Sequence, residues 1–500
     1  VTTPYYGDNF LAPYEYTPLH LPQLSAEEDD LLNDLLEDLH QRSFRNRLRA
    51  SYYDGRRAVR QVSSIIPPQY YRLGLVLGWS AKAVDILARR CNLDDFMWPD
   101  GDIKSLGLQD VVNDNFLYSE VSSALVSSLL YGPVFAINSE GVDGEPSSLI
   151  HFKDAMSATG TLNPRTRRLD NLLSITDRDD ETGKPSGFAL YLDGETVTAD
   201  CEDGQWVVDR VTHPWGVPAE ALIYKPRTDR PWGSSRITRT VMSLHDMALR
   251  TVIRMEGHMD IYSFPEMWML GADENVFRGA DGTMKPVWQT MMARIKGIPD
   301  DQESDPSLAR ADIKQFPASS PTPHIDALKQ QAQLFSGETN IPLTSLGVSD
   351  MTNPTSAESY VASREDLIAE AEGAADDWSP GLRRMMIRAL AIQNGQSSIP
   401  DQWKTIEAKW RNPMYLSRAA KADAGGKQLA AVPWLADTEI GLELLGLDQQ
   451  QITMAMSERR RSAGTATVMR SALDALKQQQ QAPPTNPAVT PPPPNVVAGN

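Results

Sequence analysis

Side chains able to do chemistry are plentiful in this chain, but their spacing does not suit it. Seven histidines, His20, His40, His151, His213, His245, His258 and His324, never stand as HExxH or HxxxH, so the sequence frames no local zinc site. The two cysteines, Cys91 and Cys201, fall outside any CxxC or Cys/His pattern, which argues against a disulfide framework and fits a reducing compartment. Gly183-Lys184 is the nearest approach to a GxxxxGK[ST] phosphate loop. Arg178 stands where the first glycine belongs and Pro185 where the hydroxyl belongs, so a turn is expected there. There is no GxSxG elbow and no GxGxxG after a strand. With 66 Asp and Glu, an enzyme with a spatially assembled carboxylate site, a nuclease or glycosidase, stays open as an alternative without a motif behind it. No catalytic residue, metal or cofactor is assigned.

Charge narrows the classes further. The 500 residues carry 48 Lys+Arg against 66 Asp+Glu, a net charge of -18, so a basic protein that coats nucleic acid is excluded and any DNA contact is local or transient. Two basic groups stand out. Arg42, Arg45 and Arg49 close a helical pattern, and Arg56, Arg57 and Arg60 follow Tyr52-Tyr53-Asp54-Gly55. They are candidate phosphate or intersubunit contacts, the bland alternatives being complementation of the helix dipole and a solvated face.

The elements that would position these residues come from periodicity. At roughly 150 residues per domain the length suggests about three folding units. Ser25 and Glu28 form a capping box ahead of Leu31, Leu32, Leu35, Leu36 and Leu39 at helical spacing. Residues 75–130 read as mostly helical, with Leu117, Val121, Leu125 and Leu129 on one stripe. The uncharged stretch Val121 to Ser139 is interrupted by serines, Gly132 and Pro133 and reads as a buried helix running into a strand, so no membrane span is expected; the N-terminus lacks the pattern of a secretory signal. Residues 133–225 form a β-rich insert, with Asp193-Gly194 as a two-residue hairpin signal.

After Pro231-Trp232-Gly233-Ser234, a long helix is predicted from Ile237, Val241, Leu244, Ala248, Val252 and Met255. A second has Thr322 as N-cap, Pro323 at its first position, and Ile325, Leu328, Ala332 and Phe335 on one stripe. Between them lies a small mixed module with an apolar run from Met267 to Leu270, the acidic group Asp300, Asp301, Glu303 and Asp305, and a strand-like Ala311 to Phe316. Thr344 to Pro354 reads as a loop. Thr355 and Glu358 cap a helix reaching Trp378, which Pro380 should break or kink before another from Gly381 to Gln393. Short helices fill 417–473, and a Gln- and Pro-rich tail is expected to be disordered.

The order of these parts resembles the portal proteins of tailed bacteriophages, the head-tail connectors, in their siphophage branch. Tyr52-Tyr53-Asp54-Gly55, Pro231-Trp232-Gly233-Ser234-Ser235-Arg236-Ile237, Asn353-Pro354-Thr355-Ser356-Ala357-Glu358, and the stretch from Ser417 to Gly446 with Lys421-Ala422-Asp423 and Leu445-Gly446-Leu447 carry the resemblance. It implies an α+β, predominantly helical portal fold that assembles as a dodecameric ring at one capsid vertex. By position, 1–24 would be an N-terminal arm, 25–230 a wing, 231–259 the first stem helix, 260–318 the clip and 319–342 the second stem helix. Residues 343–355 would be a tunnel loop, 356–399 a further wing helix region, 400–473 the crown and 474–500 the tail.

The resemblance also implies the contacts. Thr344, Ser345, Val348, Ser349, Asp350, Met351, Thr352 and Asn353 would face double-stranded DNA in the channel, and the acidic group at 300–305 would meet a head-tail adaptor protein or simply be solvated. Further partners would be the terminase large subunit, the major capsid protein and the scaffold, in a virion assembled in the host cytoplasm. Another oligomeric phage head or tail structural protein is the nearer alternative.

Overall fold

The computed structural model describes residues 16–56, 75–179, 181–202, 204–262, 266–272, 295–299, 312–316, 319–348, 364–414, 418–448 and 450–462. The chain divides after Pro413 into two compact units. In the first, helix α1 (Ala26–Tyr53) opens with the capping box, the Glu28 N–H donating to Ser25 Oγ and the Ser25 N–H to Glu28 Oε2 at 2.8 Å. Glu28 also pairs with Arg210 at 2.7 Å, so the cap docks the helix start onto the neighbouring sheet. Helices α2 (Trp79–Ala88), α3 (Leu108–Asp114) and α4 (Leu117–Tyr131) follow, but the expectation of a mostly helical 75–130 misses strand β1 (Leu93–Met97). Its partner lies hundreds of residues on in sequence, so nothing local announces it.

Val121 to Ser139 does run from helix into strand: α4 ends at Gly132, and β2 (Pro133–Glu140) begins at once. Gly132 has φ 110° and Gly233 has φ 69°, both in the region that favours glycine. A Cβ on Gly132 would lie 2.9 Å from the Trp232 carbonyl oxygen, and one on Gly233 only 2.2 Å from that of Tyr224.

The β-rich insert is two antiparallel sheets. Strands β3 (Ser148–Asp154) and β9 (Ala219–Ile223) flank β2, while β4 (Ala158–Leu162), β5 (Leu169–Arg178), β6 (Pro185–Leu192), β7 (Glu195–Glu202) and β8 (Gln205–Thr212) form a meander. Asp193-Gly194 is the hairpin turn between β6 and β7, with Gly194 at φ 77°. The central strands β5 and β6 of the meander are covered on both faces. Leu173, Ile175, Phe188 and Leu190 pack on Leu32, Leu35, Leu36 and Leu39 of α1, whereas Leu172, Ala189 and Tyr191 pack on Phe135 and Ile137 of β2.

The largest core is built mainly from α2, α3, α4 and α7 (Glu365–Gln393), and the buried residues of α5 (Arg239–Tyr262) and α6 (Thr322–Thr339) join it. Two expectations are corrected here. Helix α6 begins at Thr322 itself with Pro321 at the cap position, because Ser320 Oγ accepts the Thr322 N–H at 3.2 Å and starts the helix one residue early. Helix α7 runs through Pro380 without breaking. Proline costs about 3 kcal/mol in a helix interior, but Trp378, Leu382, Met385 and Met386 around it are fully buried. The neighbouring Ser379 hydroxyl donates to the Ala375 carbonyl and accepts Trp410 Nε1–H, each at 2.7 Å. Trp410 belongs to β13 (Glu407–Trp410), the antiparallel partner of β1. The second unit holds α8 (Arg418–Ala431), α9 (Glu439–Leu444), capped by Thr438, and a helix over 450–462.

Two buried ion networks lock α7 in place. At one end Arg236, just before α5, donates from Nε to the Ala83 carbonyl of α2 and from Nη2 to the Thr339 carbonyl of α6 at 2.5 Å, and places Nη1 2.6 Å from Glu370 Oε1 of α7. Its backbone N–H reaches the Leu129 carbonyl of α4 at 2.8 Å. Glu370 Oε1 also accepts from Tyr224 Oη at 2.7 Å and from Lys225 Nζ. Burial alone would push the Glu370 carboxyl up, but the Arg236 charge and the bonds from Arg236, Lys225 and Tyr224 together outweigh it and hold the group at about 2. Towards the other end Glu220 of β9 takes Arg384 Nε at 2.7 Å and Arg388 Nη2 at 2.8 Å, while Arg388 Nη1 donates to Asn138 Oδ1 of β2 at 3.1 Å.

A further buried polar contact fastens α5: His245, 1% exposed, lies with Nδ1 2.8 Å from Ser80 Oγ of α2 and edge-on to Tyr52. Burial holds its pKa down at about 4.

Glu370→Gln leaves the Arg236 guanidinium buried without its counter-charge and should cost about 3–5 kcal/mol in urea denaturation; a loss below about 1 kcal/mol would remove this pair as the anchor. Because the unfolded histidine titrates near 6.5 and the folded His245 near 4, the folded state loses about 1.4 kcal/mol per pH unit as pH falls through that window. Glu370 adds a separate loss as pH falls below its unfolded value of 4.5 towards 2. Urea midpoints at pH 7.5, 6 and 5 should decline, and His245→Asn should flatten that decline; a flat wild-type profile would contradict it.

Candidate assembly interface at the α5–α6 pair

The helix pair is fixed at its root near Arg236 and carries both buried and exposed apolar side chains along its length. Near Arg236, Thr238 Oγ1 accepts the Val241 N–H at 3.2 Å and caps α5. Val241, Ala248 and Leu249 of α5, with Ala332 and Phe335 of α6, are buried. Midway, Gln331 Nε2 donates to Thr251 Oγ1 at 2.9 Å. At the far end His258 Nε2 stands 3.2 Å from the Ser319 carbonyl oxygen, and the His258 and His324 rings meet edge-on at 5.0 Å. Beyond Ile253 apolar burial gives out.

The predicted α5 stripe is buried at Ile237, Val241, Leu244 and Ala248 and only half-buried at Val252 and Met255; that of α6 is buried at Ala332 and Phe335 but not at Ile325. Met247 is 37% exposed, Met259 45%, Ile325 40% and Leu334 54%, so single apolar side chains on both helices are left to water, Ile325 and Leu334 on opposite sides of α6. Between the helices, β10 (Glu266–Ala272) lies between β11 (Ile295–Pro299), which runs parallel to it, and β12 (Asp312–Phe316), which runs antiparallel. The strands coincide with the apolar run at Met267 and the strand-like segment at 311–316. Asp300, Asp301, Glu303 and Asp305 lie outside the described residues.

After α6, Asn340 at φ 56° closes the helix and Ser336 Oγ donates to the Ile341 carbonyl at 2.6 Å. Thr344 and Ser345 are not irregular loop: Leu343–Leu346 makes a 3-10 turn, seeded by Pro342 and ended by Gly347 at φ 76°. The Ser345 carbonyl accepts Lys82 Nζ at 2.7 Å, and Val348 packs on the main core. Ser349, Asp350, Met351, Thr352 and Asn353, and the capping pair Thr355 and Glu358, lie outside the described residues.

Among the described basic residues, Arg42 and Arg49 are engaged within the chain. Arg42 pairs with Asp38 at 2.8 Å and lies over the Trp232 ring, and Arg49 donates to the Tyr131 carbonyl at 3.1 Å. Burial, helped by the charges of Arg45 and Arg230, lowers the Arg49 pKa to about 10. Arg45 is exposed on α1, Arg56 faces Asp54 at 3.8 Å, and Arg57 and Arg60 lie outside the described residues. Arg236, Glu370, Glu220, Arg384 and Arg388 are what the sequence reading missed as a set; only Arg236 falls in a motif quoted there. Among the described residues no group of three or more His, Cys, Asp or Glu is placed to hold a metal ion, and no helix is long and apolar enough to cross a membrane. Burial pushes the Cys91 thiol up to about 12, far from a thiolate nucleophile. Gly183-Lys184 is the expected turn, between β5 and β6, with Gly183 at φ 68°.

Residues 33–453 match the family model described as "Phage portal protein, SPP1 Gp6-like". The portal protein of Mycobacterium phage L5 is 25% identical over 386 residues, covering 75% of this chain and 77% of that one. The portal protein of Mycobacterium phage D29 is 25% identical over 390 residues, covering 76% and 78%. A chain from the neck of a native gene transfer agent particle aligns over 74% of this chain and 89% of its own, at 15% identity and a TM-score of 0.38. With a matched span that takes in α1, both sheets, the α5–α6 pair and α7, the chain belongs to the SPP1 Gp6-like family of phage portal proteins.

Proposed function

We propose that this chain is the subunit of a closed, dodecameric portal ring at one capsid vertex. The ring is the channel through which double-stranded DNA enters and leaves the head, and the platform on which the terminase large subunit and the head-tail adaptor dock. The observation that carries the reading is the family match over 33–453. The exposed apolar residues of α5 and α6 support it, since twelve copies joined by one heterologous contact close into a ring that covers such a surface. Ring closure also gives the twelve root anchors a common function, to hold the helix pairs at one inclination around the channel.

Residues 231–259 and 319–342 are then the stem, 260–318 the clip, 343–355 the tunnel loop, 25–230 and 356–399 the wing, and 400–473 the crown. The net charge of -18 per subunit suits a conduit, because an acidic wall repels phosphates where a basic one would hold them by counterion release. Capsid protein and scaffold are further partners at the vertex, and the place of action is the virion. No catalytic step is assigned to the chain.

Shortening 344–354 by half should leave rings of normal sedimentation while particles fail to package or retain DNA. Full-length genomes in such particles would remove the loop from the channel. Leu334→Asp combined with Ile325→Asp should shift the protein from rings to monomers by at least tenfold in apparent association constant, with an unchanged far-ultraviolet melt; rings that survive both changes would place the interface elsewhere.

A further inference from the structure

Away from the helix pair, a cleft of about 540 Å³ opens between the β4–β5 turn, the segment leading into β9, and the C-terminal half of α7. Its chemistry is unusual for a chain of net charge -18, for five cations line it: Arg168, Arg383, Arg384, Arg388 and Lys404. Glu220 already engages Arg384 and Arg388, and the exposed Lys404 lies 2.6 Å from Asp401. Arg168, exposed on its turn, and Arg383, half-buried on α7, form no ion pair with any described residue. Arg388 is only 7% exposed, and its Nε has no hydrogen-bond partner. The turn that supplies Arg168 also carries Arg165 and Arg167, which extend the positive field to the rim. Apolar surface is interleaved with these charges, from Trp215, Val217, Ile387 and Ile399.

We infer that this cleft docks a short acidic segment of a partner protein, with two or more carboxylates beside one bulky apolar side chain. Arginine forks take carboxylates bidentately, and the two uncommitted guanidiniums match two carboxylates. The apolar wall gives an adjacent Leu or Phe a place to bury. Nucleic acid is the poorer occupant, because a cleft of about 540 Å³ holds a few side chains rather than a duplex.

The test uses the purified full-length protein as bait for a random twelve-residue peptide display library. Selected peptides are then measured by fluorescence anisotropy at 100 mM salt beside a 20-base-pair duplex carrying the same dye. The expected result is enrichment of peptides with at least two Asp or Glu and one large apolar residue. Their binding should weaken at least tenfold in Arg168→Gln/Arg383→Gln and at least tenfold when the peptide acids become Asn and Gln. Should the double variant melt lower than the parent, Arg168→Gln alone, on an exposed turn, should still weaken binding at least threefold. Absence of acidic peptides from the selected pool, peptide binding untouched by these arginine changes, or duplex binding that depends on Arg168 and Arg383 more than peptide binding does would each overturn the assignment.

Discussion

The Arg236–Glu370 ion pair is the constraint on which the arrangement of the first unit turns. A guanidinium with 4% of its side chain exposed has to find partners for its donors, and these come from α2, α6 and α7. The desolvation penalty of such a pair is repaid only when hydrogen bonds complete both groups, and here Tyr224, Lys225 and Asn340 complete the carboxylate. One residue therefore ties the start of α5, the end of α6 and the N-terminal half of α7 to one point. Replacing the pair with hydrocarbon would keep the core apolar but would lose the directional bonds that fix the root of the helix pair.

From that root, the geometry leads to assembly. Along α5 and α6 buried apolar residues such as Val241, Ala248, Ala332 and Phe335 alternate with exposed ones, Met247, Met259, Ile325 and Leu334. In the ring proposed above, contacts between subunits would cover these exposed side chains. The second network, Glu220 with Arg384 and Arg388, holds the same α7 against the strands of the insert. Helix α7 thus carries the position of the insert to the helix pair, a load that continuous helix through Pro380 bears better than two short segments would.

Much of this was legible in the sequence where the signal is local. The Ser25–Glu28 capping box and the Asp193-Gly194 hairpin depend on neighbours a few residues apart and appear as read, and helices form where the α5 and α6 stripes lie. What escaped is nonlocal. Strand β1 exists because β13 pairs with it, the helix continues through Pro380 because its flanks are buried, and the 3-10 turn at Leu343–Leu346 is seeded by a proline and anchored by Lys82. Arg236 and Glu370 sit in ordinary mixed-polarity stretches, and nothing in the spacing of either marks it as half of a buried pair. The order of elements nevertheless pointed to the family, because a helix, a small strand module, a second helix and a long capped helix are in themselves an architecture.

The central claim is that this chain closes into a ring whose subunits meet along the α5–α6 surface. Native mass spectrometry of the full-length protein, with negative-stain images of the same sample, tests it most directly. The account predicts a dominant species of about a dozen copies with a central hole. A protein that stays monomeric even when co-expressed with its scaffold and capsid partners would contradict it.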